Sequence, residues 1–190
     1  MMITPRVVIG YHGCDEKEAR LALEGGLLRG STNAYDWLGH GVYFWEDSPA
    51  RAMRWAQDAA RRENSRVKTP AVLGAVLDLK SCLNLTDPES IGLVQLAHTD
   101  FMILCAKDKV KLPQNKGVHL GARYLDCAVM QHLHTLYEKD DRSPFDSIRA
   151  FFTEGEPAYE NAGFRILDHV QICIRNPRCI LGYFRPLFLD

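Results

Sequence analysis

The residues of this chain that could do chemistry fall in a few short stretches. "YHGC" puts a His-Gly pair, His12 and Gly13, at the end of the first apolar run. "GHGVYF" then drives a Gly-rich turn straight into aromatic residues that include Tyr43, and Trp55 follows in "ARAMRWA". Late in the chain, "TEGEPAYENAG" holds Glu154, Glu156 and Glu160, and "HVQICI" carries Gln171. An imidazole supplies one donor and one acceptor when neutral. A glycine lets a ligand approach the main chain with no Cβ in the way. Combined with aromatic faces, these features point to a nucleotide pocket.

Other candidates carry less. His132 and His134 in "HLH" have period two within a helical segment, so their rings diverge. With no Cys or acidic partner at ligand spacing they are expected on a surface helix, and no metal site is expected. Cys14 is set aside as a nucleophile partnered by His12, on the expectation that the two project from opposite faces of the strand. His40 is a candidate substrate contact because it sits near Tyr43, and His119 falls in a loop.

These residues must be positioned by regular elements. "RVVIGYHG" reads as a buried strand ended by Gly13, and "DEKEARLALEGG" as a helix with acidic residues in its first turn and a Gly25-Gly26 stop. "LLRGSTNAYDWLGHG" has no usable period and is expected to be a loop, after which "VYFW" forms a strand. "SPARAMRWAQDAARRE" is a helix with Ser48 as N-cap and Pro49 at its first position. "AVLGAVLDL", apolar on both sides, predicts a central strand. Residues from about 88 to 108 and from about 121 to 139 predict two helices. "SIRAFF", "HVQICIRN" and "CILGYFRPLF" predict three further strands, the last two separated by Pro177. The order is mixed α+β, with the first and last strands expected as central neighbours. No repeat or linker divides residues 1–190, so one domain is expected.

Composition narrows the class. The chain has 190 residues, is 46% hydrophobic and carries a formal net charge of −1, enough for one core and too little positive charge for a broadly basic nucleic-acid surface. Arg61, Arg62, Arg66 and Lys68 cluster locally and are read as a solvated helix end and loop. Six scattered cysteines with no CxxC pair suit buried thiols in a reducing cytoplasm. The first residues lack the apolar core of a signal peptide, and no apolar run approaches the ~20 residues of a membrane span.

The stretches "YHG…GLLRG…GHGVYF…SPARAMRWA…HVQICI", in that order, resemble the ADP-ribosyltransferase superfamily. The branch they resemble is the one marked by His, Tyr and Glu that includes diphtheria toxin and the poly-ADP-ribose polymerases. Within it, the pattern is most similar to bacterial members with Gln in the third place. The resemblance implies a split, mixed and antiparallel sheet with flanking helices that binds NAD as co-substrate. It implies that His12 bonds the ribose 2′-hydroxyl, that the Gly13 backbone pairs with the nicotinamide carboxamide, and that Tyr43 stacks on the nicotinamide. Trp55 would form the opposite wall or pack beneath it, while Asn33, Tyr35 and Asp36 would cover the dinucleotide. Gln171 would contact the ribose but, unlike Glu, cannot carry charge or act as a base near neutral pH. Glu154 or Glu156 is then the carboxylate expected to orient or deprotonate an acceptor. The activity implied is transfer of a single ADP-ribose to a macromolecule, protein or nucleic acid, as in bacterial toxins or phage-defence effectors, with an antitoxin as a further partner. A catalytically degenerate NAD or ADP-ribose binding module and an NAD glycohydrolase stay open beside it.

Overall fold

A computed structural model describes residues 7–117 and 120–187. Arg6 at the head of the expected first strand, His119, and Phe188 at the end of the expected last strand lie outside the described residues. The elements are β1 (Val7–Asp15), α1 (Glu16–Leu23), β2 (Val42–Glu46), α2 (Pro49–Ala60), β3 (Pro70–Asp78), β4 (Cys82–Asn84), α3 (Pro88–Lys107), α4 (Tyr124–Lys139), β5 (Ser147–Phe152), β6 (His169–Ile174) and β7 (Ile180–Phe184). Among the described residues the strands form one seven-stranded sheet, ordered β4-β5-β6-β2-β1-β3-β7. β4 and β5 are parallel and the remaining neighbours antiparallel. The chain is therefore α+β, with a mixed sheet and flanking helices, as expected.

Several local readings change. β1 continues past Gly13 to Asp15, which caps α1 by accepting from the Lys17 N–H and also accepts from the N–H groups of Lys68 and Thr69. Ser48 occupies the N-cap position of α2 but makes no side-chain capping bond; Pro49 does sit in the first turn. The last strand is not a central neighbour of the first. β7 pairs with β3 at the sheet edge, while β1 lies between β2 and β3. β3 is interior and buried along most of its length. Sequence pattern missed β4, whose three residues are too few to show a period.

The alternation of strand side chains feeds two cores. Phe44, Leu73, Leu77 and Ile172 pack with Cys14, Ala19 and Ala22 on the α1 side. Leu38, Ile148 and Cys173 pack with Val129, Met130 and Leu133 of α4 on the other. α4 is wedged between the sheet and α3, so both of its histidines are buried rather than on a surface. His132 meets Asp100 of α3 at 2.6 Å, and His134 packs against Phe145. Their rings do diverge, as period two requires. No helix among the described residues is long and apolar enough to cross a membrane.

Candidate functional site

The sheet is continuous in order but not in hydrogen bonding. The β1–β2 ladder holds Gly10↔Glu46 and Tyr11↔Trp45. Beyond that point β1 stays paired with β3 as far as Asp15, and β2 with β6 back to Val42, so the two halves part. A cavity of about 820 Å³ opens at this split, within the usual range for a small-molecule site, ~300–1,000 Å³. It is lined by His12, Gly13, Asn33, Tyr35, Tyr43 and Trp55, and also by Glu154 and Gln171. Of the residues expected at a site, Glu156 is exposed and outside this lining, as is Glu160. His40 is bonded to Gln131 of α4 and does not line the cavity either.

His12 spans the split. Its Nδ1–H donates to the Tyr43 carbonyl at 2.7 Å. A carbonyl can only accept, so the neutral ring carries its proton on Nδ1 and offers Nε2 as an acceptor. Burial pulls the pKa of His12 below its ordinary value, outweighing the Tyr43 bond and the charge of Glu18. Tyr43 is tied down at its far end: its hydroxyl donates to Gly39 O at 2.6 Å and accepts from the Leu38 N–H at 2.9 Å. Burial raises its pKa, so the phenol stays protonated.

Gly13 meets a packing requirement that the sequence reading does not include. A Cβ there would lie 2.2 Å from Ala52 O and 3.3 Å from Trp55 Cε3. The bare Cα is what lets α2 lie against β1, which in turn brings Trp55 to the cavity. The loop before β2 is held by Asp36, whose carboxylate accepts from Ser31 Oγ, the Asn33 N–H and Asn33 Nδ2. Burial raises the Asp36 pKa despite those bonds.

Cys14 lies on the same face of β1 as His12, since residues two apart on a strand point the same way. The expectation of opposite faces is overturned: His12, Cys14 and Glu18 each bring a ligand-type atom within 4.8 Å of the others. Burial first, then Glu18, Asp15 and Glu16, push the Cys14 thiol up to about 12, so it is a thiol and not a ready nucleophile. Of the basic cluster, Arg62 and Arg66 are exposed yet line the cavity, joined by exposed Arg29. They are cavity-rim cations rather than only a solvated helix end.

Among the lining residues that the sequence reading does not single out are Trp45, Arg51 and His169. Period two would have found two of them, because Trp45 is two residues from Tyr43 on β2 and His169 two residues from Gln171 on β6. Arg51 lies over the Trp45 ring, 5.7 Å from its centroid, and pairs with Glu154 at 2.5 Å. Glu154 Oε2 also lies 3.8 Å from His169 Nδ1. Around this pair, Trp45 Nε1, Arg51 Nε, His169 Nε2 and Gln171 Oε1 are all buried with no hydrogen-bond partner among the described residues.

No protein-family model matches the chain, and no solved structure matches it. It is similar to an uncharacterized protein of Methanocaldococcus jannaschii, 24% identical over 186 residues, covering 90% of this chain and 83% of that protein.

Proposed function

We propose that the chain is a mono-ADP-ribosyltransferase that binds NAD in the split of its sheet, releases nicotinamide and transfers ADP-ribose to a macromolecular acceptor. The observation that carries this reading is that one aromatic cavity is lined by two residues with acceptor atoms to offer, His12 through Nε2 and Gln171 through an Oε1 that has no partner among the described residues. Both suit ribose hydroxyls, which donate. The Tyr43, Trp45 and Trp55 rings suit a cationic pyridinium, because ring quadrupoles attract cations. The backbone of Gly13 pairs with the carboxamide, and Asn33 and Tyr35 on the loop before β2 cover the dinucleotide. Arg29, Arg62 and Arg66 supply positive charge at the rim for its phosphates.

Gln171 contributes no charge to the ribosyl cation that develops as the glycosidic bond breaks. Of the two carboxylates expected to act on the acceptor, Glu154 lines the cavity and takes the orienting role; Glu156, exposed and outside the lining, does not take part. The buried thiols Cys14, Cys105, Cys127, Cys173 and Cys179 suit a reducing cytoplasm. Incubating the protein with NAD labelled in its adenylate and a cell lysate tests the reading. Label on protein or nucleic acid is expected and identifies the acceptor class. Free ADP-ribose alone would replace transfer with hydrolysis, and binding without turnover would leave a sensor.

A further inference from the structure

We propose that His169 Nε2 is the proton acceptor of the transfer reaction, taking from the incoming nucleophile the proton that Gln171 cannot take. The inference rests on the transferase reading and concerns the wall of the cavity opposite His12.

The geometry defines a base. His169 is the first residue of β6, two before Gln171, and so shares its face of the strand. Its Nδ1–H donates to Leu167 O at 2.8 Å, which leaves the lone pair on Nε2. His169 lines the cavity, and its Nε2 is buried with no hydrogen-bond partner among the described residues. Trp37, Trp45 and Phe152 surround the ring at centroid distances of 6.3, 6.4 and 5.8 Å. A buried acceptor left open among aromatic rings costs free energy unless a ligand donor completes it.

The charged groups facing the ring set its protonation. Arg51 approaches from α2, Glu154 from the segment after β5, and Asp168 precedes it in the chain. Burial dominates and lowers the His169 pKa, with Arg51 adding to it against the Leu167 bond and the two carboxylates. The ring is therefore neutral, and a competent base, at pH 7. Glu154, held by Arg51 and 3.8 Å from Nδ1, stabilises the imidazolium once it forms, so its part is positioning. In the step itself, the C1′–N1 bond to nicotinamide breaks and its electron pair stays on the leaving ring. The acceptor heteroatom bonds C1′, and its proton passes to His169 Nε2 and then to solvent.

The test uses the full chain, adenylate-labelled NAD and lysate. His169→Ala is expected to lower the transfer rate at least ~100-fold, the lower end for a lost general base, while NAD affinity, read by quenching of tryptophan fluorescence, stays within about threefold. Added imidazole, which fits the vacated space, restores transfer to the Ala variant. In the wild type at saturating NAD, transfer declines in acid with its midpoint below the ordinary histidine value of 6.5, because burial lowers the His169 pKa, and in His169→Gln, made in case the Ala variant folds poorly, that decline is gone. Transfer by His169→Ala within about threefold of wild type, or an unchanged acid limb in His169→Gln, overturns the proposal while leaving the transferase reading intact. A wild-type chain that neither binds nor cleaves NAD overturns both.

Discussion

On the wall of the cavity built by β1 and the loop before β2, the groups that set its shape satisfy one another, and His12 Nε2 is offered to a ligand. His12 Nδ1 has the Tyr43 carbonyl, the Tyr43 hydroxyl has Gly39 and Leu38, and Asp36 has Ser31 and Asn33. On the wall built by α2, the segment after β5, β6 and Trp45 of β2, four buried polar atoms have no partner among the described residues. Both walls line the same cavity, so the contrast is not one of depth. The first wall is a finished mould whose shape is fixed before anything binds. The second is completed by its occupant, the arrangement expected where an acceptor must enter, react and leave. The predictions that follow break or sharpen this contrast, beginning with the largest effect.

If the first wall is a rigid mould, its tightest contact should be intolerant of added volume. Gly13→Ala places a methyl group 2.2 Å from the Ala52 carbonyl oxygen, and backbone on both sides leaves nothing flexible to yield. We expect a loss of about 3 kcal/mol, at the upper end for overpacking, measured by urea unfolding. NAD affinity should fall with it, because α2 carries Trp55 and Arg51. A fully stable Gly13→Ala protein that has lost NAD binding would assign the glycine to ligand approach instead.

An unpartnered buried atom does not by itself mark a site, and His134 supplies the control. Both of its ring nitrogens are buried without partners among the described residues, yet it lies in the α4 packing and not among the cavity residues. Burial, then Arg175, lowers its pKa to about 3. A base whose pKa falls on folding gives stability that is present above the unfolded value of 6.5 and lost as pH drops toward the folded value. Between pH 7 and pH 5 the contribution lost is about 2 kcal/mol by proton linkage. We expect His134→Leu to remove that part of the acid slope in urea unfolding and to leave NAD binding unchanged. A loss of NAD binding would show that unpaired atoms report on burial in general and not on the second wall.

The legible part of this chain was whatever a period could carry. The strands at residues 42–46, 147–152 and 169–174 and all four helices follow from alternation, helical spacing and Pro or Gly punctuation. Strand order was not legible, since nothing local to "CILGYFRPLF" says that it pairs with β3 at an edge rather than with β1. Burial of "HLH" was hidden for a related reason: α4 is covered on two sides by elements far away in the chain. At the site, His12, Tyr43 and Gln171 were legible through a resemblance, and the structure brings all three to one cavity. Trp45 and His169 were legible by period two and were overlooked, and the same rule misapplied hid the shared face of His12 and Cys14. Arg51 was beyond reach, because its meaning comes from Glu154, about a hundred positions away, through a fold that closes the gap.

The smallest expected effect separates ring from hydroxyl at Tyr43. The hydroxyl donates to one backbone carbonyl and accepts from the N–H of Leu38, a residue only 1% exposed. Tyr43→Phe removes both bonds and leaves those groups unsatisfied, which costs about 1–2 kcal/mol. The ring, the part that would stack on a pyridinium, is unchanged, so NAD affinity should stay within about threefold of wild type. Tyr43→Ala, by contrast, should lose binding. Because burial keeps the phenol protonated, the stability difference between wild type and Tyr43→Phe should not vary between pH 6 and 9. If Tyr43→Phe is as stable as wild type but no longer binds NAD, the hydroxyl is a ligand group, and the first wall, like the second, is completed only by what it binds.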